Sequence, residues 1–82
     1  MNKWFTYILL CDQKTFYVGI TTDLKSRIGE HKNKESFFTK KFSNIELVYS
    51  EEHDNKFKAA TREKQLKGWG HNKKQLLINN SL

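Results

Sequence analysis

The sequence predicts an α+β fold: a three-stranded antiparallel sheet with helices packed on it, in the order ββαβαα. Two closely spaced runs of β-branched, aromatic and aliphatic residues predict a hairpin. Two capped, helix-like segments separated by an alternating run predict the α-β-α order that follows. The 82 residues contain no Pro, few Gly and no repeat or linker, so the chain reads as one domain over 1–82. The sheet must bury its apolar surface under the helices.

The first strand is expected over 4–11, WFTYILLC, and ends at the polar turn Asp12-Gln13-Lys14. The second follows over 16–20, FYVGI. Thr22 is a good N-cap, with Asp23 in the first turn of a helix that runs to about Lys32 with Leu24 and Ile28 inward. Residues 33–44 are lysine-rich, with Phe37, Phe38 and Phe42 interleaved and no clean period. A third strand is expected over 45–50, with Ile45, Leu47 and Tyr49 on one face. Asp54 or Asn55 then caps a helix running to about Gly68, and Asn72 opens a last short helix from Lys73 to about Asn79.

Charge narrows the function classes. Lys+Arg exceed Asp+Glu by 15 to 9, a net +6, the footprint of a protein that meets polyphosphate. No apolar run approaches the roughly 18 residues of a membrane span, and no helix joins a basic face to a broad Trp/Leu face. The N-terminal apolar stretch is too short for a signal-peptide core, so a cytoplasmic protein without membrane partners is expected. The single Cys11 excludes an internal disulfide and a Cys-rich zinc site, and its apolar neighbours suit a buried thiol. His53 and His71 lack partners at metal-ligand spacing and read as surface residues.

Several polar residues stand where folding alone would not put them. Glu63 projects between Ala59 and Ala60, on a helical face bordered by Leu66. Arg27 and His31 stand one turn apart, and His31 falls within roughly 20° of Leu24 on the helical wheel. The ordinary readings are an arginine over the core edge and a histidine at its rim. Tyr7 and Tyr17 share a sheet face only if the hairpin loop has an odd number of residues. A loop pairing Cys11 with Thr15 sets Tyr17 opposite Leu9 and diagonal to Tyr7, about 7–8 Å away. Gly19 then leaves a gap on that face through which a ligand can approach.

Tyr7, Tyr17-Val18-Gly19, Arg27, His31 and Glu63, in this order and spacing, resemble the GIY-YIG nuclease domain, and small stand-alone bacterial GIY-YIG proteins in particular. Cys11 and the run from Tyr17 to His31 match that group's pattern, as do 47–51 (LVYSE) and 62–69 (REKQLKGW). The resemblance spans about residues 4–78. It departs at Phe5-Thr6, which stand for the first Gly-Ile, and at Val18, which stands for Ile. It implies Mg²⁺-dependent hydrolysis of phosphodiester bonds in DNA, with Mn²⁺ as a substitute metal. Glu63 becomes the sole protein ligand of one divalent ion, as Mg²⁺ tolerates because it keeps most of its waters. Arg27 holds the scissile phosphate, Tyr7 acts as general base, Tyr17 orients water or phosphate, and His31 is a positioning group. A phenol with pKa about 10 is a poor base at neutral pH, so neighbouring cations are expected to lower that of Tyr7.

Substrate contacts are expected at Gly19, Lys32, Thr39, Lys40 and Lys67, with Lys34 and Lys41 as further cations and Phe37 and Phe38 as stacking surfaces. Solvated lysines and phenylalanines tucked into the core are the alternative. Neither a separate DNA-reading helix nor a Cys/His zinc pattern is found, so selectivity is expected from DNA structure or from a partner protein. Repair or recombination is the natural setting. Two rival classes remain: a nucleic-acid binding module that keeps the fold without cutting, and a small adaptor that docks through exposed aromatics.

Overall fold

β1 (Trp4–Cys11) is the middle strand of the sheet, between β2 (Thr15–Thr21) and β3 (Ile45–His53), and both pairings are antiparallel. The computed structural model describes residues 3–36 and 39–80. A central strand is covered on both faces, which explains why 4–11 is an unbroken apolar run rather than an alternating one. Thr6, Tyr7, Ile8 and Leu9 are all fully buried. The helices are α1 (Leu24–Lys32), α2 (Lys56–Lys67) and α3 (His71–Ile78), so the order is ββαβαα. None is long and apolar enough to cross a membrane.

The hairpin has the odd-numbered loop. Cys11 pairs with Thr15, Leu9 with Tyr17 and Tyr7 with Gly19. Asp12 and Gln13 both take left-handed backbone angles, φ 51° and 62°. Asp tolerates this region better than most residues, and here its side chain has a second task. Asp12 Oδ1 accepts from the amides of Ser43 and Asn44 at 2.9 and 2.7 Å, pinning the start of β3 beside the hairpin turn.

Alternation along β1 divides the core in two. Tyr7, Leu9, Cys11 and Ile45 gather with Tyr17, Leu24, Ile28 and Phe42 on the α1 face. Ile8, Val18 and Leu66 gather with Val48, Tyr49, Trp69 and Leu77 on the α2–α3 face. A bulge in β3 sets the division: Leu9 pairs with Leu47 but Ile8 with Tyr49, so Val48 is the extra residue. Tyr49 therefore leaves the face of Ile45 and Leu47, against the regular alternation expected. Its hydroxyl donates to Glu51 at 2.5 Å, and Arg62 Nε donates to the same carboxylate at 2.8 Å. This brace ties β3 to α2. Thr6 adds a buried tie, donating through Oγ1 to the carbonyl of Ala59 at 2.9 Å.

The caps differ from expectation at two places. Asp23, not Thr22, caps α1, its Oδ1 accepting from Ser26 N at 3.1 Å while Thr21 Oγ1 accepts from Asp23 N. α3 begins before Asn72, because extended Gly70 lets its carbonyl accept from Lys74 N at 3.2 Å. Asn55 caps α2 and Gly68 ends it, as expected. His53 is not a surface residue: its side chain is 17% exposed, with Nε2 3.1 Å from Glu51 Oε1 but without hydrogen-bond alignment. His71 is exposed and stacks on Phe16 at 4.5 Å between ring centroids.

Candidate active site

Tyr7 is the hub of a polar cluster on the α1 face. It stands directly opposite Gly19, and its ring lies over that residue's backbone. A Cβ at position 19 would come within 2.5 Å of the Tyr7 hydroxyl and 2.6 Å of Cζ. The gap that Gly19 offers is thus filled by Tyr7 from within the fold, not left open for a ligand. Tyr17 is diagonal to Tyr7, with ring centroids 6.4 Å apart, and the His31 ring packs edge-on to both.

α1 brings Arg27 and His31 onto the hydroxyl. Tyr7 Oη lies 3.0 Å from His31 Nε2 and accepts from Arg27 Nε at 3.4 Å. Arg27 is held from its other side by Glu30, with Nη1 to Oε1 at 2.8 Å. His31 is fully buried rather than at the rim, and its Nδ1 lies 2.6 Å from Thr39 Oγ1. Thr39 is fully buried as well, so it meets His31 and not substrate.

Burial dominates the electrostatics. It raises the Tyr7 pKa, and Arg27, donating to the hydroxyl, opposes the shift without overcoming it. The expectation that cations lower this pKa is therefore not met in the free protein. Burial, helped by the positive charge of Arg27, lowers the His31 pKa, so the imidazole is neutral at pH 7. Glu63 sits on α2, and its negative charge is the weakest of the influences that raise the Tyr7 pKa. Its carboxylate is 24% exposed and pairs with Lys67 one turn on, at 3.1 Å.

The donor set suits one hard cation with few protein ligands. Among the described residues no three His, Cys, Asp or Glu side chains cluster to cage a metal. Glu63 is a single carboxylate, partly exposed under Lys67, and one such ligand suits an ion which keeps its water and binds phosphate oxygens.

Beside Arg27 opens a cleft of about 310 Å³, bordered by Trp4, Thr21, Ser26 and Glu30. Lys32 and Lys34 line a second hollow, of about 270 Å³, where the loop after α1 meets β3. Lys34 donates to the Phe42 carbonyl, Lys41 lies 5.4 Å from the Phe42 ring centroid, and Lys40 is exposed. Phe37 and Phe38 lie outside the described residues.

This geometry is accompanied by sequence similarity along most of the chain. The family model of the GIY-YIG catalytic domain matches residues 3–75. The chain belongs to the GIY-YIG family. The UPF0213 protein SSP2268 of Staphylococcus saprophyticus is 35% identical over 79 residues, covering 95% of this chain and 96% of that one. The UPF0213 protein YsiG of Lactococcus lactis is 46% identical over 57 residues, covering 68% of this chain but 55% of its own. The solution NMR structure of the UPF0213 protein BH0048 from Bacillus halodurans shares the fold, with TM-score 0.60, 29% identity and coverage of 94% and 83%.

Sequence reasoning passed over Glu30 and named Thr39 only as a substrate contact. Glu30, which steadies Arg27, was signalled by its i,i+3 spacing. Thr39 as the partner of His31 had no local signal, because it lies eight residues on, beyond the end of α1.

Proposed function

We propose that this GIY-YIG domain is a Mg²⁺-dependent endonuclease that hydrolyses phosphodiester bonds in DNA. The observation that carries the reading is the Tyr7 hydroxyl held between His31 Nε2 and Arg27 Nε. A fold alone would not require a buried phenol and imidazole to share one oxygen with a half-exposed guanidinium.

Glu63 would hold the metal, which when bound supplies positive charge to the phosphate oxygens. The remaining roles belong to the chain. In the free protein both acidic groups are covered by cations, Tyr7 by Arg27 and Glu63 by Lys67. A phosphodiester arriving in the cleft beside Arg27 draws the guanidinium onto its non-bridging oxygens and uncovers the hydroxyl. The attacking water gives its proton to Tyr7 Oη as Tyr7 passes its own to His31 Nε2. The water oxygen bonds to phosphorus, the P–O3′ bond breaks, and solvent protonates the departing oxygen. The hand-off suits a buried tyrosine, because no free phenolate has to form where burial disfavours it. His31, neutral at pH 7, is available as the acceptor.

Selectivity for DNA structure rather than sequence is the companion reading. The helices have 9, 12 and 8 residues and all pack on the sheet, so none among the described residues stands clear to enter a major groove. Exposed Lys32 and Lys40 supply phosphate contacts that read no base. Repair or recombination, in the cytoplasm and with a partner protein adding specificity, is the setting this chemistry suits. One observation favours a binding module that does not cut: the Tyr7 hydroxyl is sealed from solvent. Labelled linear, nicked, flapped and branched DNA with Mg²⁺ separates the two. Cuts that vanish in EDTA and in Glu63→Ala support the nuclease. Binding without cleavage, unchanged in Glu63→Ala, supports the module.

A further inference from the structure

We infer that Thr39 is a positioning residue that fixes the tautomer of His31: its Oγ1 accepts the imidazole Nδ1–H, which leaves Nε2 bare and aimed at Tyr7. The inference deepens the nuclease reading, in which His31 receives the proton from Tyr7.

The assignment follows from proton accounting around one sealed oxygen. Tyr7 is fully buried, so its O–H cannot turn to water. Among the described residues its hydroxyl has two partners, Arg27 Nε at 3.4 Å and His31 Nε2 at 3.0 Å. An arginine N–H only donates. His31 Nε2 is thus the acceptor left for the Tyr7 proton, and it must be bare. In a neutral imidazole the proton then resides on Nδ1, which lies 2.6 Å from Thr39 Oγ1. The opposite tautomer would point two hydrogens into the space between Tyr7 and His31 or strand a buried hydroxyl without an acceptor.

The surroundings keep His31 neutral as this requires. Tyr7 faces the ring from β1 and Tyr17 from β2, while Arg27 and Glu30 act from its own helix. Burial and Arg27 disfavour the imidazolium, and Glu30 works against them more weakly. Thr39 carries no charge, and its hydroxyl accepts the Nδ1–H that the Tyr7 contact requires, holding that tautomer in place. It comes from the segment after α1 that also carries Lys34, Lys40 and Lys41, so exposed cations and the anchor of the imidazole lie close together in sequence.

The test is long-range ¹H–¹⁵N NMR of histidine-labelled full chain at neutral pH, with the His31 signals assigned by their loss in His31→Gln. The expected result is a protonated Nδ1 and bare Nε2 in the parent, retained in Thr39→Ser and shifted toward Nε2–H in Thr39→Val. Cleavage by Thr39→Val should fall about tenfold to a hundredfold, as when an imidazole loses its orienting partner, with a displaced rate–pH profile. Thr39→Ser should restore both. An Nε2–H tautomer in the parent would overturn the inference, and that readout needs no variant to fold. So would a Thr39→Val protein whose tautomer and pH profile match the parent's. A parent that cuts no DNA yet shows the Thr39-dependent Nδ1–H form supports Thr39 in this role while removing the nuclease reading.

Discussion

The two faces of the sheet are built from alternate residues of one strand, yet they do different work. Tyr7 looks toward α1, where its hydroxyl meets Arg27 and His31. Ile8 looks toward α2 and α3, where it meets Val18 and Leu66. The first face buries polar side chains and satisfies each with a partner; the second buries mostly hydrocarbon, with the Thr6–Ala59 hydrogen bond as its buried polar tie, and keeps its charges at the edge, in the Glu51–Arg62 brace. A buried polar network adds little net stability but fixes geometry. Apolar burial stabilises without fixing any one orientation. The contrast teaches that the α1 face is specialised for chemistry, at a cost that the α2–α3 face offsets.

Substitutions on the two faces should therefore separate rate from stability. The largest effect is expected from Glu63→Ala, which should reduce Mg²⁺-dependent cleavage to background with the melting temperature nearly unchanged. Tyr7→Phe should lower the single-turnover rate by about 10²–10⁴, the range for a lost proton-transfer group, with DNA binding kept. Leu66→Ala should do the converse. It should cost about 2–5 kcal/mol in urea unfolding while the folded fraction still cuts. If Leu66→Ala proved harmless to stability while Tyr7→Phe unfolded the chain, the division of labour would be reversed.

Gly19→Ala joins the faces in one experiment. Its Cβ would meet the Tyr7 ring end-on, so a destabilisation of about 1–3 kcal/mol should come together with loss of cleavage. The smallest effect is a pH dependence. The His31 pKa is lowered on folding, so the neutral form contributes stability above the unfolded value of about 6.5. That contribution is lost as pH falls from there through the folded pKa. Urea midpoints measured between pH 7.5 and about pH 5 should decline in the parent and flatten in His31→Gln.

Much of this was legible before any coordinates. The place of Tyr17 opposite Leu9 follows once the hairpin loop is known to hold three residues, because side chains alternate strictly along a strand. The caps at Asn55 and Gly68 follow from local hydrogen-bond needs. Other features were not legible. The alternation expected of Ile45, Leu47 and Tyr49 ignored the bulge at Val48, which depends on the pairing with β1. Gly19 read as an opening because its own sequence neighbourhood does not show that the Tyr7 ring lies across it.

The sequence by itself determined the order of elements and the family motif with its spacing, since both rest on local backbone geometry and residue identity. Tertiary structure alone decided how deep the chemistry sits. The loop after α1 returns Thr39 to His31, burial raises the Tyr7 pKa above what its cationic neighbour can offset, and Lys67 comes to rest on Glu63. Desolvation and long-range hydrogen bonds depend on which segments close over a side chain, and that is a property of the packed chain rather than of any stretch of it.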